Sequence, residues 1–176
     1  MKLIKSLGVA ALLAASSLSY AQAPAAKPAA AVVVTNGQVK ALTNLLTAMQ
    51  AEKLMRTVAG QSRYSNPKQM DAVFAKLEKV PASQIYARLA YPLAKIISVE
   101  TANEMARFYN TPYGKKVVYG MYNSKGGYGD SGPPPTPAER KELENPAYIK
   151  AKHELEQADN AIRGEAFKLL QSISKA

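Results

Sequence analysis

The chain has no cysteine and no tryptophan, and only one histidine and three phenylalanines among its 176 residues. Without thiols there are no disulfides, thiolate metal sites, cysteine nucleophiles or cysteine-linked lipids. Exported bacterial proteins often lack cysteine, so this absence does not argue against export. The lone His153 is too little for a zinc site, which takes about four protein and water ligands. A serine-hydrolase triad would need His153 as its base, and no serine stands in a nucleophile-elbow sequence. There is no dense run of lysine and arginine, although 23 basic residues face 13 acidic ones, for a net charge of +10. That excess favours salt-sensitive association with polyanions. The plainer reading is a solvated basic surface.

The first 21 residues read as a secretory leader. Lys2 and Lys5 form the basic start, Leu7 to Ala15 is an apolar run too short to span a bilayer, and Ser19-Tyr20-Ala21 supplies the small residues before a cut. Cleavage after Ala21 would leave a periplasmic or secreted chain of charge +8 (21 basic minus 13 acidic) with no transmembrane helix. Residues 22–36 contain the low-complexity Ala23 to Ala31 and read as a disordered tether. Val32 to Val34 has the composition of a brief strand.

From residue 37 the spacing is helical. Val39, Leu42, Leu46 and Met49 form one stripe, with Leu54, Met55 and Val58 on a rotated face. One helix is expected over about 37–59, with Asn36 as cap, Gly60 as terminator and a Glu52–Arg56 pair. Asn66-Pro67 opens a second helix to about Val80. A third runs from about Ser83 to Ile97, kinked where Pro92 frees the carbonyl of Arg88. The most patterned stretch is Glu100 to Met121. Ala102, Met105, Phe108 and Tyr109 define a helix capped by Ser98, with Glu100 and Glu104 near its positive end. Pro112 ends it and starts the next, in which Tyr113, Val117 and Met121 share one side while Lys115 and Lys116 face water. Gly114, in the first turn, permits close approach of a neighbouring backbone. The result is two helices joined at a sharp corner, Phe108-Tyr-Asn-Thr-Pro-Tyr-Gly114.

This corner, a helix ending in Phe-Tyr followed by a small polar residue, Pro, one residue, Gly and a base, resembles domain of unknown function 2059, a family of bacterial envelope proteins. Val39 to Met55 is similar to that family's opening helix, and Ile85 to Ser98 to the helix before its corner, internal proline included. The resemblance covers roughly residues 38–122. It implies an all-helical exported domain and carries no catalytic residues with it.

Beyond residue 123 the glycines and prolines of 124–135 mark a surface loop. Thr136-Pro137-Ala138-Glu139 suits a capping box, Asn145-Pro146 makes another start, and Leu155, Ala158, Ile162, Ala166, Leu169 and Ile173 define one long amphipathic helix over about 147–174. That helix should pack across the bundle or against a partner. Phe108 to Lys116 and Leu143 to Lys150 echo one another, which two helix starts built from the same capping chemistry would also produce.

Chemistry is sparse. Gly127 to Gly132 matches a dinucleotide fingerprint in letters, but no strand precedes it, and prolines follow where a helix must begin. Asp130 has too few oxygen ligands around it for a calcium loop. Glu100 and Glu104 share a helix face and are candidate paired carboxylates for a glycan hydrolase, although Glu104 can simply pair with Arg107. Tyr109, Tyr113, Tyr119, Tyr122 and Tyr128, with Lys115, Lys116 and Lys125, form an aromatic-basic cluster able to stack sugars and hold phosphates. Tyrosine is also how a helical core reaches its edge.

The expectation is therefore an exported all-α bundle of about six or seven helices, organised as a leader (1–21), a tether (22–36), a helical core (37–123), a Gly/Pro loop (124–135) and a C-terminal segment packing on the same domain (136–176). No cofactor, metal or nucleic acid is expected. Its reading is a non-enzymatic binding or interaction module of the cell envelope. Candidate contacts are Tyr109, Tyr113, Lys115, Lys116 and Tyr122, and the candidate partners are an envelope polyanion, a lipid or another envelope protein. The alternatives are a glycan hydrolase and an oligomer joined through the last helix.

Overall fold

The structure, a computed structural model, describes residues 33–123 and 134–176. The expected leader, most of the tether and most of the Gly/Pro loop lie outside the described residues. So do the fingerprint letters, Asp130, Tyr128 and Lys125. Among the described residues there are eight α-helices and no strand: α1 (Asn36–Ala48), α2 (Ala51–Gln61), α3 (Pro67–Glu78), α4 (Ala82–Leu93), α5 (Val99–Asn110), α6 (Pro112–Asn123), α7 (Pro137–Leu143) and α8 (Pro146–Lys175). The expected all-α class holds, and Val33 and Val34 are irregular rather than extended into a strand. No described helix is long and apolar enough to cross a membrane.

The central element is α5, which packs against α1, α6 and α8. Ala102, Met105, Ala106, Phe108 and Tyr109 are its buried face. The apolar stripe of α8 turns inward onto α5, α2, α3 and α4, so this helix crosses the bundle of its own chain. Each fully buried leucine or isoleucine in such a core stabilises by about 1.5–3 kcal/mol relative to exposure.

The expected first helix is two helices. α1 ends at Ala48 with Met49 as its C-cap, and Gln50 adopts a left-handed conformation (φ 54°, ψ 55°) before α2 begins. The break re-phases the chain: Leu42 and Leu46 before it and Leu54 and Met55 after it are all buried, which the rotated stripes could not achieve on one straight helix. It also costs a hydrogen bond. The Lys53 N–H turns to the Gln50 carbonyl (2.9 Å), leaving the Met49 carbonyl without its helical donor. The Tyr122 hydroxyl donates to that carbonyl at 2.9 Å.

Other boundaries moved for local reasons. Thr35, not Asn36, caps α1 in a reciprocal box with Gln38. α2 runs through Gly60 to Gln61. Glu52 accepts from the Tyr86 hydroxyl and Arg56 pairs with Glu78, so the expected Glu52–Arg56 pair does not form. α4 stops at Leu93, one residue after Pro92 and short of the expected Ile97, and the Ile96 and Ile97 amides both turn back to the Leu93 carbonyl. Ile97 is buried as a result, and Ile96 is exposed.

The corner forms as expected. The Thr111 hydroxyl accepts from the Gly114 amide (2.9 Å) and donates to the Phe108 carbonyl (2.7 Å). The Thr136–Glu139 capping box and the Asn145 cap also form. Glu139 is further held by Lys116 Nζ at 2.7 Å. The Lys116 bond, then the Thr136 amide, bring the half-buried Glu139 carboxyl down to about 2.

Glycines without a packing role offer a simple test. A Cβ at Gly164, in the middle of α8, would meet no atom within 4 Å. Gly164→Ala is expected to stabilise the protein by about 0.5–1 kcal/mol, since alanine loses less backbone entropy in a helix. A higher urea midpoint at unchanged slope would register the gain.

Candidate functional site

Two concavities flank α5; of the candidate tyrosines and lysines, Tyr109 lines both, Tyr113 one and Lys115 the other, while Lys116 and Tyr122 line neither. The first is an apolar cavity of about 550 Å³, floored by α5 and walled by α6, α7 and α8. Met49, Met105, Met121, Val117, Leu155 and Ile162 supply its aliphatic lining. Phe108 is the hub of its aromatic wall, with ring centroids 5.5 Å from Tyr109, 6.3 Å from Tyr113 (edge-on) and 4.3 Å from Tyr148. Tyr113 and Tyr148 are delivered by the first turns of two proline-started helices, α6 and α8. Burial, helped by Tyr113 and Glu156, pushes the Tyr148 phenol up to about 12, so it stays a neutral donor at physiological pH. Lys152, Glu156 and Asp159 of α8 form a charged rim.

The second is a polar cleft of about 670 Å³ on the opposite side of α5, where the α1–α2 break faces α6. Its lining includes Lys53, Arg107 and Lys115, the carboxamides of Asn44, Gln50, Asn103 and Asn110, and Tyr119; no carboxylate is among its twelve lining residues. Arg107 is committed. Glu104 accepts from it twice (2.9 and 2.7 Å) and Glu142 once (2.8 Å), and these bonds raise the guanidinium's pKa further.

The expected aromatic-basic surface is thus not one surface. Tyr109 and Tyr113 are 5% exposed and belong to the core, Tyr109 reaching both concavities. Tyr122 secures the α1–α2 break and lies 5.8 Å beneath Lys53 Nζ. Lys115, Lys116 and the 69%-exposed Tyr119 face solvent as expected, Lys116 also tying α6 to α7 through Glu139. Of the candidate acids, Glu100 is exposed and Glu104 is neutralised by Arg107. His153 is exposed, its Nε2 3.0 Å from the Gln157 amide. No group of three or more histidine, aspartate or glutamate side chains could hold a metal ion among the described residues.

One half-buried acid went unread in the sequence. Glu154 of α8 accepts from the Ser98 amide (2.9 Å), the Ser98 hydroxyl (3.2 Å) and the Thr101 hydroxyl (2.6 Å), capping α5 from another helix. Its signal was present: Glu154 falls between Ala151 and Ala158 at three-four spacing, on the buried face.

The fold and these two concavities define an all-α protein built around a ligand-sized apolar cavity. No family model, no curated protein and no solved structure matches the chain.

Proposed function

We propose that this chain is a non-enzymatic binding module of the bacterial cell envelope, exported as its resemblance to domain of unknown function 2059 implies, and that it holds the apolar part of a lipid-like ligand between α5, α6 and α8. The observation that carries the reading is the cavity itself. Its volume of about 550 Å³ falls within the range of small-molecule pockets, about 300–1,000 Å³, and its walls are apolar and aromatic with a few charged groups at the rim. Three methionines in the lining suit a flexible chain, because thioether side chains adapt to irregular shapes. Export rests on the leader-like pattern of residues 1–21. The two alternatives have less behind them: Glu104 is tied up by Arg107, and the α8 stripe that would join subunits is spent on the chain's own core.

The test is a fluorescent naphthylamine dye displaced by medium-chain fatty acids. The wild-type protein is expected to bind the dye saturably and release it to the fatty acid. Val117→Phe fills the cavity from its half-buried α6 wall, and should reduce dye binding at least about tenfold while leaving the melting temperature equal or higher, as cavity-filling does. Dye binding that is absent from the wild type, or unchanged in this variant, would end the reading.

A further inference from the structure

We infer that the polar cleft between the α1–α2 break and α5–α6 is a second, separate binding site, for a phosphate-bearing sugar. It stands independently of the apolar cavity. Four observations converge on it.

The first is charge. Lys53 and Lys115 line the cleft and neither has an ion-pair partner among the described residues, while Arg107 is a fixed guanidinium already neutralised by two glutamates. A phosphate entering here meets two ammonium groups that no described carboxylate pairs, Lys53 resting only on the Tyr122 ring, and no lining carboxylate to repel it.

The second is hydrogen-bonding capacity. The side chains of Asn44, Gln50 and Asn103 make no hydrogen bond to another described residue, and Asn110 spends only its Nδ2, on the Ala106 carbonyl (2.8 Å). A carboxamide both donates and accepts, as a sugar hydroxyl does, so a group of them matches a polyol better than it matches a bare anion. The third is Tyr119, whose exposed ring edges the same cleft and offers a face for the C–H side of a sugar ring.

The fourth is strain. Gln50 is the only described non-glycine residue with positive φ, and its side chain lines the cleft. A left-handed glutamine is a strained conformation, and such outliers concentrate at binding sites. Here the same distortion that breaks the helix opens the cleft and places a carboxamide on its wall.

The test uses the mature chain and four titrants in about 0.15 M salt, where exposed charges are screened beyond roughly 8 Å: glucose 1-phosphate, N-acetylglucosamine, inorganic phosphate, and phosphatidylglycerol vesicles against phosphatidylcholine ones. The expected result is saturable calorimetric binding of glucose 1-phosphate, at least about tenfold tighter than either the neutral sugar or inorganic phosphate alone. Vesicle capture requiring phosphatidylglycerol would identify a lipid headgroup as the source of the same chemistry. In either case the double variant Lys53→Ala/Lys115→Ala, and separately Asn103→Asp, which adds a carboxylate to an exposed position, should abolish the binding with unchanged melting temperature. The inference is overturned if neither the sugar phosphate nor the anionic vesicle binds saturably, or if binding persists undiminished in both variants.

Discussion

Gly114→Ala is expected to lower stability by about 3 kcal/mol or more, at or beyond the upper end of ordinary overpacking. Helix propensity alone predicts the opposite, because alanine is about 1 kcal/mol better than glycine inside a helix. Geometry decides. A Cβ at Gly114 would stand 1.9 Å from the Phe108 carbonyl oxygen and 2.7 Å from the Tyr109 Cα. Both are backbone atoms and cannot swing away. The same carbonyl already accepts from the Thr111 amide and hydroxyl, so moving it would undo the bonds that close the corner. Relief requires α5 and α6 to separate, carrying Tyr109 and Tyr113 away from the Phe108 hub and opening the apolar cavity. Urea unfolding of Gly114→Ala beside Gly164→Ala is the sharp comparison: one substitution, two helices, opposite signs. Equal effects at the two positions would mean that α5 and α6 do not meet as described.

Why the corner could be read in advance is clear from its chemistry. Thr111, Pro112 and Gly114 act through backbone rules with a range of a few residues: a cap, a fixed φ and a missing Cβ. The Thr136–Glu139 box and the Asn145-Pro146 start succeed for the same reason, and the α8 stripe because thirty residues give periodicity room to speak. The failures are long-range. Nothing near Gln50 breaks a helix, and Met49 to Lys53 contains no glycine or proline. The break is secured by Tyr122, 73 residues away in sequence, and by the need to bury two stripes of different phase. Pro92 illustrates the intermediate case: the lost hydrogen bond is a local certainty, but whether the chain kinks or stops depends on what Ile97 can reach.

The candidate site was legible in part. Tyrosine content says nothing about which end of the ring is wet, but helical phase does. Tyr113 shares a side with Val117 and Met121, which made it a core residue by the same periodicity that found the helix. Tyr119 stands four residues after Lys115, hence on the same face, and these two do line one cleft. What could not be read is that the opposite wall of that cleft comes from the α1–α2 break, since the break itself was invisible.

Glu154→Ala is expected to cost about 2–3 kcal/mol, because it strands the Thr101 hydroxyl, 2% exposed, and leaves the Ser98 amide at the α5 N-terminus without its acceptor. Glu154→Gln keeps the shape and one acceptor oxygen and should cost less, about 1 kcal/mol. The charge adds a pH signature. Burial pushes the Glu154 carboxyl up, but the Thr101 hydroxyl and the Ser98 amide and hydroxyl outweigh it and hold the group below its ordinary value. A carboxyl whose folded pKa is depressed contributes stability above its unfolded pKa, about 4.3, and loses it as pH falls through the folded value. The stability gap between wild type and Glu154→Gln should therefore be constant above about pH 5 and close as pH drops below about 4. Glu139, held at about 2 by Lys116, loses its own contribution in the same acid range, but equally in both proteins, so the difference isolates Glu154. A gap that stays constant down to acid pH would mean that the carboxylate's charge plays no part in docking α8 onto α5. A vanishing coupling in the Glu154→Ala/Thr101→Val cycle would mean that the two side chains do not meet, since residues in contact couple by at least about 0.5 kcal/mol.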